Sequence, residues 1–230
     1  MTKWIFAVLN AISLILIVLL TSVEILAFNF SFYSYEYTKN NTYDQIQISE
    51  YDLMSVTQRL TDYMRDMEED LVINVNINGQ EREFFNDLEK AHMVDVKNLF
   101  QIAYLLRNTA AVIFFITLLC GSLYKKRPVL REYAKSIIGV FGLFIMTCIG
   151  FAVVAMSDFN KYFTIFHEIF FDNDMWILDP ATDLLINIVP LPFFTDMFLF
   201  ITAIFSAFSV ILIILSFIYL KHTKRAGVRE

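Results

Sequence analysis

The sequence predicts an all-α polytopic membrane protein with four transmembrane helices. Hydrophobic residues make up 57% of the 230-residue chain and the mean hydropathy is +0.55, well above the values of a soluble domain of this length. Two further observations are four long apolar runs and an uneven distribution of lysine and arginine. We expect residues 1–230 to form one membrane domain whose extracytoplasmic part holds an amphipathic helix, a small β-hairpin and an interfacial loop.

Four apolar runs are each long enough to cross a bilayer as a helix, which takes about 20 residues for a hydrocarbon core of about 30 Å. We expect spans at about 4–28, 103–124, 136–156 and 197–220. The first run differs from a cleavable signal peptide because it is longer, carries Glu24 and lacks a small-residue cleavage pattern after it. We interpret it as a retained anchor.

The basic residues predict that both termini are cytoplasmic, because short cytoplasmic loops are enriched in lysine and arginine. Ten of the 18 basic residues flank the predicted cytoplasmic ends of the spans: Lys3, Lys125, Lys126, Arg127, Arg131, Lys135, Lys221, Lys224, Arg225 and Arg229. Only Glu132 and Glu230 oppose them, and 21 of the 24 acidic residues fall in the segments 29–100 and 157–196. These two segments are therefore predicted to be extracytoplasmic.

The first extracytoplasmic segment, about 29–100, is too long for a simple connector and must contain structure. The dipeptide Asn40-Asn41 predicts a turn. Apolar residues at helical spacing between Tyr51 and Met67 predict an amphipathic helix, which either packs on neighbouring helices or lies on the membrane surface. Packing is the favoured alternative. Before the turn, the segment opens with an aromatic string that is typical of the belt at the lipid headgroups: Phe30, Phe32, Tyr33, Tyr35 and Tyr37.

The later part of this segment predicts a β-hairpin followed by a helix. Residues 72–78 alternate between aliphatic residues and asparagine, and Asn78-Gly79 is a favoured two-residue turn before residues 81–85. A helix capped by Asn86 or Asp87 then continues through His92 into the second span.

The second extracytoplasmic segment, about 157–196, is dense in aromatic residues and ends in Pro190 and Pro192. This composition predicts a folded re-entrant or interfacial loop.

Two of the three histidines, His92 and His167, lie in the two extracytoplasmic segments and so on one side of the membrane. Histidine is the side chain best suited to moving protons near neutral pH. Asp95 follows His92 by three residues, so on a helix the two share a face and the carboxylate could orient the imidazole. Alone, such a pair is more often a surface ion pair than a catalytic dyad.

His167 opens a stretch in which polar residues stand among large apolar ones, an arrangement that is costly unless the polar groups are paired or used. An aromatic anchoring belt is the simpler interpretation, but the density of polar groups favours a site. Those groups and the tryptophan among them are Asn173, Asp174, Trp176, Asp179 and Asp183.

Glu24 and Arg107 each lie near the predicted outer end of a span, where they could meet across the first two helices. An ion pair that holds the bundle and a grip on a polar headgroup or ester are equally compatible with these two residues.

Several classes of function are disfavoured by the residues. His167-Glu168 lacks the second histidine of a metalloprotease helix and Cys120 and Cys148 fall inside spans, so neither a metal nor a disulfide is expected. With 6 glycines and no phosphate loop, a nucleotide is not expected, and the basic residues are explained by topology without nucleic acid. A channel is also disfavoured, because the four spans contain one interior carboxylate and no continuous line of polar residues through the bilayer.

The two histidine motifs carry a family resemblance. AHMVDV at 91–96, FHEIFF at 166–171, W-x-x-D-P at 176–180 and D-x-L-I at 183–186 together resemble the bacterial lipoprotein intramolecular transacylase family, known as Lit. The likeness extends over essentially the whole chain, including four spans with both ends inside.

The resemblance implies a multi-pass acyltransferase of the bacterial cell membrane, with its active site on the extracytoplasmic side. It would move the sn-2 acyl chain of a diacylglyceryl-modified lipoprotein cysteine to the α-amino group, giving an N-acyl lyso-form lipoprotein. The lipoprotein and the bilayer are then the partners, and no cofactor is needed because donor and acceptor belong to one molecule.

The same resemblance suggests roles for individual residues. His92 and His167 would share the proton transfers, and Asp95 and Asp179 would orient them. Weaker expectations are that Tyr162, Asn173 and Arg107 contact the ester or the oxyanion, that Trp176 lines the acyl slot and that Glu24 helps to bind substrate.

Two alternatives stay open at the level of sequence. A membrane-anchored binding or scaffold protein would use the hairpin and the amphipathic helix as an extracytoplasmic docking surface, and both histidines would then tolerate substitution. A membrane hydrolase or metal-dependent protease would use the same cluster of residues, and chelator sensitivity would reveal the metal-dependent form.

Overall fold

The computed structural model describes residues 2–124 and 129–225. Within them the regular elements in chain order are α1 (Thr2–Ala27), α2 (Phe30–Lys39), α3 (Thr42–Ile46), α4 (Glu50–Met64), β1 (Asn74–Ile77), β2 (Gln80–Glu83), α5 (Asp87–Tyr124), α6 (Val129–Ser157), α7 (Phe159–Phe170), α8 (Leu185–Ile188) and α9 (Leu191–Arg225). Four helices are long and apolar enough to cross a membrane, with candidate spans Trp4–Ala27, Asp87–Gly121, Leu130–Ser157 and Leu191–Lys224. The predicted mostly helical class with four spans is therefore confirmed.

The helix α5 is much longer than the apolar run that predicted it. Its 38 residues make a rod of about 57 Å at the usual helical rise, almost twice the thickness of a hydrocarbon core. The extra N-terminal turns carry His92 and Asp95. The prediction that the helix bearing His92 continues into the second span is confirmed.

Part of the basic loop on which the orientation was based lies outside the described residues. Lys125, Lys126 and Arg127 belong to that part, and so do Arg229 and Glu230 of the tail. The cytoplasmic placement of the termini stays a prediction.

The chain divides into two compact units. The membrane unit consists of the described residues of 1–24, 104–157 and 199–230, and the connecting unit consists of 25–103 and 158–198. The second set corresponds closely to the two segments predicted to be extracytoplasmic.

The membrane unit has an apolar core with hydrogen bonds between its helices. Ile15, Phe141 and Phe205 pack together and are almost fully buried. The amide of Asn10 on α1 donates to the hydroxyl of Thr117 on α5 over 3.0 Å. In lipid, such bonds help helices to associate because an unpaired polar group there is costly.

The aromatic string after the first span is not a simple headgroup belt. It forms the helix α2, whose N-cap Asn29 accepts a hydrogen bond from the backbone N–H of Phe32. Phe32, Tyr33 and Tyr37 are buried within the connecting unit, and the hydroxyl of Tyr37 bonds that of Thr57 at 2.8 Å. These rings therefore supply the core of this unit, and the belt prediction is wrong for them.

The amphipathic helix and the hairpin form as predicted, with small shifts at their ends. Ser49 caps α4 by accepting the N–H of Asp52, and Leu53 and Leu60 on its apolar face are buried. That face packs within the connecting unit, although Met67, assigned to it from the sequence, lies beyond the helix and is exposed.

The hairpin pairs β1 with β2 in antiparallel register, from Asn74 opposite Glu83 to Ile77 opposite Gln80. Asn78 and Gly79 both have positive φ, at 52° and 78°. These angles are the reason that an Asn-Gly dipeptide predicts this turn, since few other residues adopt them cheaply.

The second connecting segment contains a regular helix where a loop was predicted. Asp158 caps α7 by accepting the N–H of Lys161, and the helix runs from Phe159 to Phe170. Turns and the one-turn helix α8 lead from there to the last span. The apolar residues of α7 lie on one side of the helix, and the opposite side carries the polar ones, Asn160, Lys161, Thr164, His167 and Glu168. The helical period is therefore present in the sequence, and the prediction of a loop is wrong for this stretch.

Candidate active site

The two histidines of the connecting unit lie next to each other although 75 positions separate them in the chain. His92 lies in the second turn of α5 and His167 in the last turn of α7. Their ring centroids are 6.1 Å apart at an interplanar angle of 34°. Both side chains are buried, with 7% and 8% exposure. The structure thus brings both predicted proton carriers into one cluster.

Aromatic rings surround this histidine pair. The indole of Trp176 stacks on His167 with centroids 4.8 Å apart and planes 29° apart. The ring of Phe163 lies edge-on to the same imidazole, with centroids 4.4 Å apart. The centroid of the Phe171 ring is 5.3 Å from that of His92 and 5.5 Å from that of His167. Such a setting limits water and strengthens electrostatic interactions inside it.

The hydrogen bond of His167 fixes its tautomer. Nδ1 lies 2.6 Å from the backbone carbonyl oxygen of Phe163, one helical turn earlier. Because a carbonyl can only accept, Nδ1 must carry the proton that is donated. In the neutral ring Nε2 therefore keeps its lone pair and can take up a proton.

Burial shifts the acidity of this imidazole. It lowers the pKa of His167 below its usual value of 6.5, and the hydrogen bond to the Phe163 carbonyl opposes that shift only in part. His167 is consequently neutral at pH 7 and able to act as a base.

His92 presents a buried polar atom that the described residues leave unsatisfied. Its Nδ1 has no hydrogen-bond partner among them. A buried nitrogen in this state costs free energy, on the order of 1–3 kcal/mol, until it meets a donor or an acceptor. This atom can therefore bond a polar group that enters the cluster.

Asp95 and Asp179 make contacts other than the predicted ones to histidine. Asp95 accepts a hydrogen bond from the side-chain amide of Asn173 at 2.8 Å. Asp179 is exposed and accepts the N–H of Ala181 in a turn. No bond from either carboxylate to an imidazole occurs within residues 2–124 and 129–225. Orientation of the histidines by these two groups stays a prediction.

The remaining predicted site residues are dispersed. Tyr162 is half-buried on α7 and lies about 140° around the helix from His167. Glu24 and Arg107 form an ion pair within the membrane unit, and the Arg107 guanidinium also lies 5.4 Å from the ring of Tyr104. That ion pair is the structural alternative considered for these two residues.

A second network near the histidines was not expected from the sequence. Glu89, only 1% exposed, accepts the backbone N–H of Asn86 at 2.6 Å and that of Leu185 at 2.5 Å. The side-chain amide of Asn86 donates to Asp183 at 2.7 Å. The N-x-x-E spacing signals a capping box, and Asn86 is indeed the cap, but nothing local signals a partner 96 positions away.

The cluster offers no obvious place for a resident metal. In the part of the chain that the structure describes, no three histidine, cysteine, aspartate or glutamate side chains are grouped so as to hold an ion. Cys120 and Cys148 are free thiols in the spans of the membrane unit.

A family comparison covers most of the chain. The family model described as lipoprotein intramolecular transacylase Lit matches residues 8–194, a range that includes both histidine motifs. A comparison with curated protein sequences gave no significant match.

The fold is that of solved lipoprotein intramolecular transacylases. The membrane-integral Lit structure from Bacillus cereus, determined in meso, is similar with a TM-score of 0.77 and 19% identity, over 98% of this chain and 99% of that one. Two variants of it, in which a histidine is replaced by arginine or by alanine, give TM-scores of 0.75 and 0.74. They are 18% and 19% identical and cover 98% of this chain and 95% and 96% of theirs.

Proposed function

Because this chain belongs to the lipoprotein intramolecular transacylase family, and is therefore an acyltransferase of the membrane, we propose that it acts on a diacylglyceryl-modified lipoprotein cysteine. The sn-2 acyl chain moves to the α-amino group of the same cysteine. The observation that carries the proposal is the buried pair His92 and His167, whose ring centroids are 6.1 Å apart and which aromatic side chains surround.

The reaction balances without a cofactor or a second substrate. The cysteine ammonium first loses a proton to the solvent, and the free amine attacks the carbonyl carbon of the sn-2 ester. A new C–N bond forms, the bond from the carbonyl carbon to the glycerol oxygen breaks, and that oxygen takes up the proton that leaves the nitrogen. Donor and acceptor sit on one molecule, so folding it into a near-attack arrangement can supply up to about 7–11 kcal/mol.

The histidines divide the proton transfers. Nε2 of His167 takes a proton from the amine, which its fixed tautomer and lowered pKa allow at pH 7. The His92 imidazole lies close enough to act on the same tetrahedral intermediate, and its unpartnered Nδ1 bonds a substrate group. Asn173, which bonds Asp95, contacts the ester, and Trp176, which stacks on His167, contacts the acyl chain.

The proposal includes an orientation in the membrane. The lysine and arginine distribution supports cytoplasmic termini, and the connecting unit then faces the extracytoplasmic side together with His92 and His167. Lipidated lipoproteins at the outer leaflet would meet the site there.

The test is alanine substitution of each histidine with a matched control. His92→Ala and His167→Ala should each lower acyl transfer about a hundredfold or more, as loss of a proton-transfer group does. His222→Ala removes the third histidine, which is exposed in the last turns of α9, and should leave activity unchanged.

Product analysis must locate the acyl chain, because product and substrate are isomers with one mass. Fragmentation of the lipidated N-terminal peptide distinguishes an acylated amine from a free one. Wild-type turnover by either site variant contradicts the histidine assignment. Release of free fatty acid without N-acylation identifies a hydrolase instead, and activity lost with a chelator identifies a metal enzyme.

A further inference from the structure

One stretch of the connecting unit is hydrogen-bonded to α5 near both of its ends. Residues 171–185, which we call the site loop, run from Phe171 beside the histidines to Leu185 at the start of α8. Trp176, which stacks on His167, lies in the middle of this loop. The loop has only turns for backbone structure before α8, so side-chain contacts decide its position.

The first group of hydrogen bonds that holds the site loop is made by residues before His92 on α5. The Glu89 carboxylate uses one oxygen for the N–H of Asn86 and the other for the N–H of Leu185. Asp183 adds to it by accepting the Asn86 amide and the hydroxyl of Thr182. Hydrogen bonds to an ionised carboxylate are about twice as strong as neutral ones.

The second group of hydrogen bonds is made by a residue after His92 on α5. Asp95 accepts the side-chain amide of Asn173 at 2.8 Å, and the carbonyl oxygen of that amide accepts the N–H of Met175. Glu89, His92 and Asp95 follow at intervals of three, so they share one face of α5. The loop is thus held on both sides of His92.

We propose that Glu89 is a positioning residue for the acyl transfer: by joining the cap of α5 to Leu185, it holds the site loop so that Trp176 covers His167. This inference rests on the proposed function and deepens it, since it assigns a role to a residue whose carboxylate bonds Asn86 and Leu185. A buried carboxylate is costly and does not usually raise stability above that of an apolar side chain. The contacts that Glu89 makes instead fix the geometry of two segments that are far apart in sequence.

The experiment compares two acidic residues of the same helical turn. Glu89→Gln keeps the size of the side chain but turns one acceptor into a donor that faces a backbone N–H. Asp87→Asn removes the same charge from the same helix end, where Asp87 is fully exposed and pairs with Lys90. Both variants are made in the full chain, reconstituted in lipid nanodiscs, in a Trp4→Phe background that leaves Trp176 as the single tryptophan.

The first readout is the emission of Trp176 as a function of pH. A protonated imidazole quenches an indole stacked on it, so the parent should lose emission as His167 protonates, with a midpoint below 6.5. His92 faces His167, and Asp95 lies on the same face of α5, so both are kept in all variants. Glu89→Gln should shrink the quenching and move its midpoint towards 6.5, because an uncovered ring is more hydrated. Asp87→Asn should match the parent.

The second readout is turnover of a diacylglyceryl-modified lipopeptide. Glu89→Gln should lower kcat/KM about tenfold, mainly through kcat, because lost positioning acts on the reacting arrangement. Asp87→Asn should stay within about twofold of the parent, as expected for an exposed charge. Equal behaviour of the two variants in both readouts overturns the proposal.

Failure to fold is also informative. If Glu89→Gln does not insert, Asp183→Asn is the second variant. It weakens the same group of hydrogen bonds through a residue of the site loop, and should give the same change in quenching. If both variants lose the fold, the network is only a folding element and the positioning role is wrong. The emission measurement needs no catalysis, so a parent that shows the pH-dependent quenching but transfers no acyl chain refutes the proposed function alone.

Discussion

At the scale of single residues, the hydrogen bond from His167 to the Phe163 carbonyl has the clearest chemical consequence. It assigns the proton to Nδ1 and leaves Nε2 as the basic atom. This one contact within a helix reduces the number of roles that His167 can take in a histidine pair. Roles that depend on His167 as a permanent cation are disfavoured because burial lowers its pKa.

The pH dependence of the reaction should follow from this shift. The base and the attacking amine must both be neutral. Between the pKa of His167, which lies under 6.5, and the pKa of the substrate α-amine, about 8, kcat/KM should therefore rise about tenfold per pH unit. Below the pKa of His167 it should fall about a hundredfold per pH unit, because both groups are then protonated. The pH–rate profile with a lipopeptide checks this, and a steepening that begins above pH 6.5 contradicts it.

At the scale of elements, local signals were the ones that predicted structure correctly. The hairpin was predicted because Asn78-Gly79 demands a particular turn, and α5 because its cap at Asn86 precedes a long periodic run. Each of these signals is contained within a few neighbouring residues, so folding elsewhere in the chain does not override it.

Non-local features were missed for a physical reason. The Glu89 contact with Leu185 and the Asp95 contact with Asn173 join residues 96 and 78 positions apart, and no pattern in one sequence encodes such a pairing. Topology predicted the two histidines on one side of the membrane, but the distance between them depends on how α5 packs on α7, which is also a non-local feature.

The hairpin turn allows a stability test with a matched glycine. Gly79→Ala should lower the free energy of unfolding by about 1 kcal/mol, since a side chain is strained at φ 78° although no atom lies within 4 Å of the added Cβ. Gly139→Ala, in α6 and with equally open space, should be neutral or stabilising. Thermal unfolding in detergent compares them, and equal effects would contradict the turn geometry.

At the scale of the whole molecule, the division into a membrane unit and a connecting unit matches the charge pattern of the sequence. Acidic residues concentrate in the connecting unit, and the described basic residues that were used to assign orientation lie in the helices of the membrane unit. Each unit has buried residues of its own, with Phe141 and Phe205 in one and Tyr37 and Leu53 in the other.

The orientation can be measured by labelling single cysteines in intact cells. In a background with Cys120→Ala and Cys148→Ala, Glu81→Cys on the exposed hairpin should react with a reagent that cannot cross the membrane. His222→Cys, exposed near the end of α9, should react only after the membrane is permeabilised. The reverse pattern would refute cytoplasmic termini and place the histidine pair on the other side.

The distance along the chain between the two imidazoles also bears on biosynthesis. A ribosome delivers the N-terminal part first, so His92 enters the translocon with the second span and His167 follows 75 residues later, after the third. If the histidine pair carries the proton transfers as proposed, a nascent chain holds only half of that pair until α7 has been made. Acyl transfer can then begin only after that helix has been synthesised.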